Sequence, residues 1–197
     1  MGKLATIASS ASTSKALSAK DTPVVDDNQQ QFLTFSVGGE LFAVGILNVK
    51  EIIEYGNLTQ IPMMPPFIRG VINLRGSVVP VVDLAARFGG TPAVISRRTC
   101  IVIIEIRGED DDHDIGVVVD GVNEVLEILA KDIEPPPAFG AKIRTDFIRG
   151  MGKVGSRFVI ILNIDKVLSM NELTQLMGVA SLVWGGQEPG MAAPGTG

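Results

Sequence analysis

From residue 31 the chain reads as short apolar stretches, alternating or continuous, punctuated by Gly, Pro, Asn and Asp. That is the pattern of β-strands joined by tight turns. Leu33, Phe35 and Val37 alternate with Thr34 and Ser36, which predicts a strand with one buried face. Gly38-Gly39 predicts a two-residue hairpin into Leu41–Gly45, because glycine enters positive φ without steric penalty. Further runs predict strands near 49–54, 69–73 and 77–82, and a second set near 99–106, 115–119, 123–129, 147–151 and 157–162. The runs 78–82 and 158–162 are apolar on both faces, as expected where a closed sheet also packs against a neighbour.

The two sets of strands are copies of one another. Phe67-Ile68-Arg69-Gly70 recurs 80 residues later as Phe147-Ile148-Arg149-Gly150. At the same spacing Asp83-Leu84-Ala85-Ala86 meets Asn163-Ile164-Asp165-Lys166, each a short helix expected to be opened by an Asx N-cap. Upstream, Phe42-Ala43-Val44-Gly45 through Glu51-Ile52-Ile53 matches Ile115-Gly116-Val117-Val118 through Glu124-Val125-Leu126, 73 residues on. The seven-residue difference falls where the second copy carries the longer connection Pro135-Pro136-Pro137-Ala138-Phe139. A duplicated unit of five strands and one short helix accounts for all of this. Five short strands do not leave edges open cheaply, so each unit is expected to curl into a small barrel. The predicted class is all-β with short helices: a first barrel over about 31–95 and a second over about 96–170. A helix over 171–184 follows, with Leu173, Leu176, Met177 and Ala180 on one stripe, expected to pack back on the barrels. Residues 1–30 and 185–197 have leader-like and tail-like compositions.

Composition narrows the function. Of 197 residues, 46% are hydrophobic, ample for a buried core. Net charge is −5, the wrong sign for a protein whose main partner is nucleic acid. No apolar run approaches the roughly 20 residues a membrane-spanning helix needs. Met1-Gly2-Lys3-Leu4-Ala5-Thr6 fits the letters of a myristoylation signal, a short pattern that a polar leader meets by chance.

Catalytic parts are scarce. His113 is the sole histidine and Cys100 the sole cysteine, which excludes an internal disulfide and a His-rich metal site. Glu109-Asp110-Asp111-Asp112-His113-Asp114 lacks the Gly and distal Glu of a calcium loop and reads as a solvated hairpin tip. Cys100 opens an apolar strand and reads as a core residue. Gly150-Met151-Gly152-Lys153-Val154-Gly155 has the letters G-x-G-x-x-G, but a strand follows where the dinucleotide mechanism needs a helix N-terminus. No cofactor is implied, and an enzyme is not expected.

Arg75 is the informative charge. It lies in a tight Asn73-Leu74-Arg75-Gly76 turn whose chemistry explains Asn73 and Gly76 but asks for no arginine. Glu51 is a candidate partner. Two readings stand side by side: an exposed Arg in a loose salt bridge, or an Arg anchoring a protein interface.

The run from Phe67 to Leu84, with Val71-Ile72-Asn73-Leu74-Arg75-Gly76 and Val78-Val79-Pro80-Val81-Val82-Asp83 at its centre, resembles the signature of CheW-type chemotaxis coupling proteins. So do Phe42 to Ile52 and Gly116 to Val122, and the resemblance spans about 31–178. It implies two five-stranded SH3-like barrels. It also implies a cytoplasmic adaptor bridging chemoreceptor cytoplasmic tips to the regulatory domain of the chemotaxis histidine kinase, reaching the membrane only through receptors. Carried over by motif position, receptor contact falls on Val49, Glu51, Gly70, Arg75, Cys100 and Val125, and kinase contact on Phe139. Glu134, ahead of the prolines, is acidic where some members are basic. The rival expectations are an adaptor of a non-flagellar chemosensory pathway and a small-molecule-binding double barrel.

Overall fold

The computed structural model describes residues 29–107, 112–136 and 143–169. The expected leader, the tail, the 171–184 helix and Phe139 lie outside these residues. The strands are β1 (Gln29–Val37), β2 (Glu40–Gly45), β3 (Val49–Glu54), β4 (Ile68–Leu74), β5 (Ser77–Asp83), β6 (Cys100–Arg107), β7 (Asp112–Val119), β8 (Gly121–Leu129), β9 (Ile133–Glu134), β10 (Ile148–Val154) and β11 (Arg157–Leu162). Two single-turn helices, α1 (Leu84–Arg87) and α2 (Ile164–Val167), follow β5 and β11. The all-β class and the strand runs are as the sequence predicts, and β9 is an addition.

Local chemistry sets the hairpins. Gly38 and Gly39 both have positive φ, 58° and 84°, so β1 and β2 turn through a two-residue loop twisted to match the strands. Asp83 caps α1, its carboxylate accepting from the Ala86 N–H at 3.1 Å. Asn163 stands at the same place before α2, but its side chain makes no capping bond. There the backbone carbonyl of Asn163 accepts from Lys166 and Val167.

The strands form two sheets, ordered β8-β1-β2-β11-β10-β9 and β3-β6-β7-β5-β4. Each closes in the same way. After β3 the chain swings across so that Thr59 exchanges both backbone hydrogen bonds with Val71 of β4, each at 2.9 Å. After β8 a three-residue turn leads to β9, which pairs with Met151 and Gly152 of β10. Val71 and Met151 are equivalent positions, so one bent strand serves both edges of each five-stranded barrel, and few backbone groups are left bare.

The sheets do not divide the chain as the repeat suggested. The expected barrels over 31–95 and 96–170 are replaced by an exchange. β1 and β2 of the first copy share a sheet with β8 to β11 of the second, through β1–β8 and β2–β11, and β6 and β7 of the second share one with β3, β4 and β5 of the first, through β3–β6 and β5–β7. The exchange rests on two parallel pairings at equivalent positions, Phe42 and Ala43 with Ile160 and Ile161, and Gly116 and Val117 with Val81 and Val82. The boundary near residue 95 separates the copies of the unit, and each barrel draws on both.

Alternation along each strand sends side chains into different cores. Val79, Val81, Ile101, Ile103 and Val118 fill one barrel, and Phe32, Ala43, Ile128, Val159 and Ile161 fill the other. The opposite faces, including Leu33, Phe35, Val102, Ile104, Val117 and Leu162, form a larger shared cluster between the barrels. β1 is therefore buried on both faces, and Thr34, expected to face solvent, is 1% exposed. Its hydroxyl donates to the Glu124 carbonyl at 2.7 Å, which satisfies the buried polar group. Where the copies meet, the Arg87 guanidinium lies 4.8 Å from the Phe67 ring and 5.1 Å from that of its equivalent, Phe147. Arg87 Nε also donates to the Val167 carbonyl at 2.9 Å, across the join.

Candidate functional site

The turn between β4 and β5 holds two residues, Arg75 and Gly76, between the paired Leu74 and Ser77. Both have positive φ, 53° and 95°. A loop of this twist demands that conformation at both positions and is ordinarily built from Asn, Asp or Gly. Arg75 occupies it against the preference of a β-carbon-bearing side chain. The Asn73 side-chain oxygen accepts from the Gly76 N–H at 2.8 Å and brackets the turn. One guanidinium nitrogen of Arg75 then donates to Glu51 on β3 at 3.0 Å, tying the hairpin to the strand at the far edge of its sheet. The Arg75 side chain is 80% exposed and that of Glu51 28%, so the pair stands at the surface and contributes at most about 1 kcal/mol to stability.

The other predicted positions are distributed around this pair. Val49 shares β3 with Glu51, across a bulge at Lys50, and packs against the shared core. Lys50 turns outward to Glu105 and Asp114 at 2.7 and 2.8 Å, and these carboxylates raise its pKa. Cys100 opens β6 opposite Glu54, at the other end of β3 from Val49. Burial pushes its thiol pKa up, only partly offset by a backbone hydrogen bond at Val122, so it stays protonated and is a poor nucleophile. Val125 lies on β8 in the other sheet, opposite Leu33, and is 47% exposed.

Gly70 has a different role in the fold. It is buried in β4 with φ +141°, and a β-carbon there would run into the carbonyl of Thr59. Glycine is needed for the edge-closing bridge between Thr59 and Val71 to form. Gly70→Ala is expected to cost about 3 kcal/mol, the sum of backbone strain and a clash with main chain that cannot rotate away. Urea denaturation checks this: an unchanged midpoint would mean the bridge is dispensable.

Two apolar residues beside the pair escaped the sequence reading. Val78, paired with Asn73 across the hairpin, and Ile52, next to Glu51, are both exposed. Their equivalents in the second copy, Phe158 and Val125, are exposed as well. The signal was present in the repeat: an apolar residue at the overhanging start of β5 recurs at the start of β11. Gly150, Gly152 and Gly155 fall in β10 and its hairpin with β11, so no helix follows them to hold a pyrophosphate. His113 is exposed on β7, and among the described residues no three His, Cys, Asp or Glu side chains converge as metal ligands.

A double barrel with filled interiors and an arginine-bearing apolar edge is a binding module. The CheW-like domain profile matches residues 31–172. The chain is 36% identical over 151 residues to chemotaxis protein CheW of Klebsiella aerogenes, covering 77% of this chain and 89% of that one. It is 34% identical over 155 residues to protein FrzA of Myxococcus xanthus, covering 78% and 91%. Among solved structures, the scaffolding protein TtCheW of Thermoanaerobacter tengcongensis superposes with a TM-score of 0.65 at 37% identity, covering 72% of this chain and 89% of that one. The chain belongs to the CheW-like family and is a chemotaxis adaptor of the scaffolding kind.

Proposed function

We propose that the protein couples chemoreceptor cytoplasmic tips to the regulatory domain of the chemotaxis histidine kinase, in the cytoplasm at membrane receptor arrays, and performs no chemistry itself. The observation that carries this reading is Arg75, held on Glu51 at 3.0 Å in a backbone conformation its side chain disfavours, beside exposed Ile52 and Val78. A charged anchor on an edge that also exposes apolar side chains suits a protein contact. Receptor contact is assigned to the face carrying Val49, Glu51, Arg75 and Cys100, with Val125 on the neighbouring barrel and Gly70 supporting β4 from within. Kinase contact is assigned to the connection carrying Phe139. Both barrel interiors are filled by side chains, which does not favour a small-molecule cavity. Each contact can be weak, because tethering in an array raises effective concentration. Switching requires that the contacts differ between the kinase's states.

Reconstitution of the purified chain with a chemotaxis kinase and receptor-bearing membranes tests the reading. Receptor-dependent phosphorylation should require the chain. Arg75→Ala should weaken that coupling by about tenfold, a loss of 1.4 kcal/mol at the interface. Its unfolding temperature should move by only about 2–4 °C. A large fall in unfolding temperature would make Arg75 structural. Phosphorylation indifferent to the chain would overturn the coupling role.

A further inference from the structure

We propose that Asn73 is a positioning residue for the coupling site, acting through Arg75. The proposal rests on the coupling reading above and adds a residue that the reading does not contain.

The duplication supplies the comparison. Asn73, Arg75 and Gly76 of the first hairpin correspond to Lys153, Gly155 and Ser156 of the second. In the second hairpin the first loop position is Gly155 with φ +61°, the residue type such a backbone favours. In the first hairpin the same place holds Arg75 at φ +53°. The bracket is present only where the arginine is. The Asn73 oxygen bonds the Gly76 N–H at 2.8 Å, while Lys153 has no acceptor atom with which to bond Ser156. One copy thus pairs a disfavoured loop residue with the side chain that closes the turn around it, and the other copy has neither.

The mechanical consequence follows from the geometry. A two-residue loop can relax into other turn types, and a β-carbon at its first position pushes it that way. The Asn73–Gly76 bond holds the loop in the form that points the Arg75 guanidinium at Glu51. Without it, Arg75 is free to return to negative φ and leave the edge of β3. Backbone order at Arg75 is therefore supplied by a neighbour two positions away.

The test uses the full chain in the reconstituted kinase assay, with Asn73→Ala, Asn73→Asp, Arg75→Ala and the double variant. Asn73→Ala should lose coupling to within about twofold of Arg75→Ala, and should add nothing in the Arg75→Ala background. Asn73→Asp keeps an acceptor oxygen and should restore coupling. The unfolding temperature of Asn73→Ala should shift by no more than about 4 °C. Wild-type coupling in Asn73→Ala, a further loss in the double variant, or failure of Asn73→Asp to rescue would overturn the proposal. The three-bond amide–Hα coupling constant of Arg75 gives a readout independent of any partner. It should change in Asn73→Ala and not in Asn73→Asp, and no change in Asn73→Ala would also overturn the proposal. If the wild-type chain fails to activate the kinase, the coupling reading falls and this constant alone decides the role of Asn73.

Discussion

Cut between residues 95 and 96, the chain is expected to yield two fragments that are each unfolded alone and recover the native sheets when mixed. The first fragment keeps β1 to β5, but β2 loses its parallel partner β11 and β5 loses β7. β1 also loses β8, to which it is paired from Gln29–Leu129 to Ser36–Gly121. What remains is two hairpins and an isolated strand, none with a covered apolar face, and such pieces are marginal in water. Strands exchanged within one chain can be exchanged between two, which is the logic of domain swapping. Far-UV circular dichroism of each fragment, then of the equimolar mixture, reads the result. Cooperative unfolding by either fragment alone would show that the copies are autonomous after all.

A single-residue loss as large as that of Gly70→Ala is expected at Asp83. Its side chain is fully buried. One oxygen accepts from Arg69 Nε at 2.8 Å and from the Ala93 N–H at 2.9 Å, and the other caps α1 through Ala86. Arg69 also donates to the Ala93 carbonyl at 2.6 Å, so the two side chains together pin the connection between the copies. Asp83→Ala removes the cap and leaves the partly buried guanidinium without its counter-charge. Loss of one member of such a pair destabilises by about 3–5 kcal/mol. Arg69 keeps 25% of its side-chain exposure, which places the expectation at the lower end, about 3 kcal/mol, or about 6–12 °C in unfolding temperature. Asp83→Asn should fall between the variant and the wild type, since an amide oxygen can still accept from Ala86 but brings no charge to Arg69. A loss under 1 kcal/mol in Asp83→Ala would mean that Arg69 finds another acceptor.

The strand runs were legible because alternation and turn residues are local signals, and the Asp83 cap was legible for the same reason. Pairing was not. The repeat identifies which strands are equivalent, and equivalent strands carry the same apolar pattern. Nothing in the pattern of β2 therefore distinguishes β5 from β11 as its neighbour. β9 was missed because two residues are too few to show a period. Thr34 was misplaced because its burial depends on Glu124, 90 residues away. At the site, the Arg75–Glu51 pair could be suspected from a turn that asked for no arginine. The left-handed backbone of Arg75 could have been read from the two-residue spacing between Leu74 and Ser77. The special need for glycine at position 70 could not, since it arises from Thr59 crossing to close the sheet.

The exchange of strands also has a consequence for synthesis. The β1–β2 hairpin leaves the ribosome before the other described strands, yet β11, against which Phe42 and Ala43 pair, is made more than a hundred residues later. At about 5–20 residues per second, the hairpin waits roughly 6–25 s before its partner exists. During that interval Phe32 and Ala43 lack Val159 and Ile161, with which they share a core. Closure of that barrel is therefore postponed until β11 has been made, and the β1–β2 hairpin is the natural client of whatever chaperone meets it in the meantime.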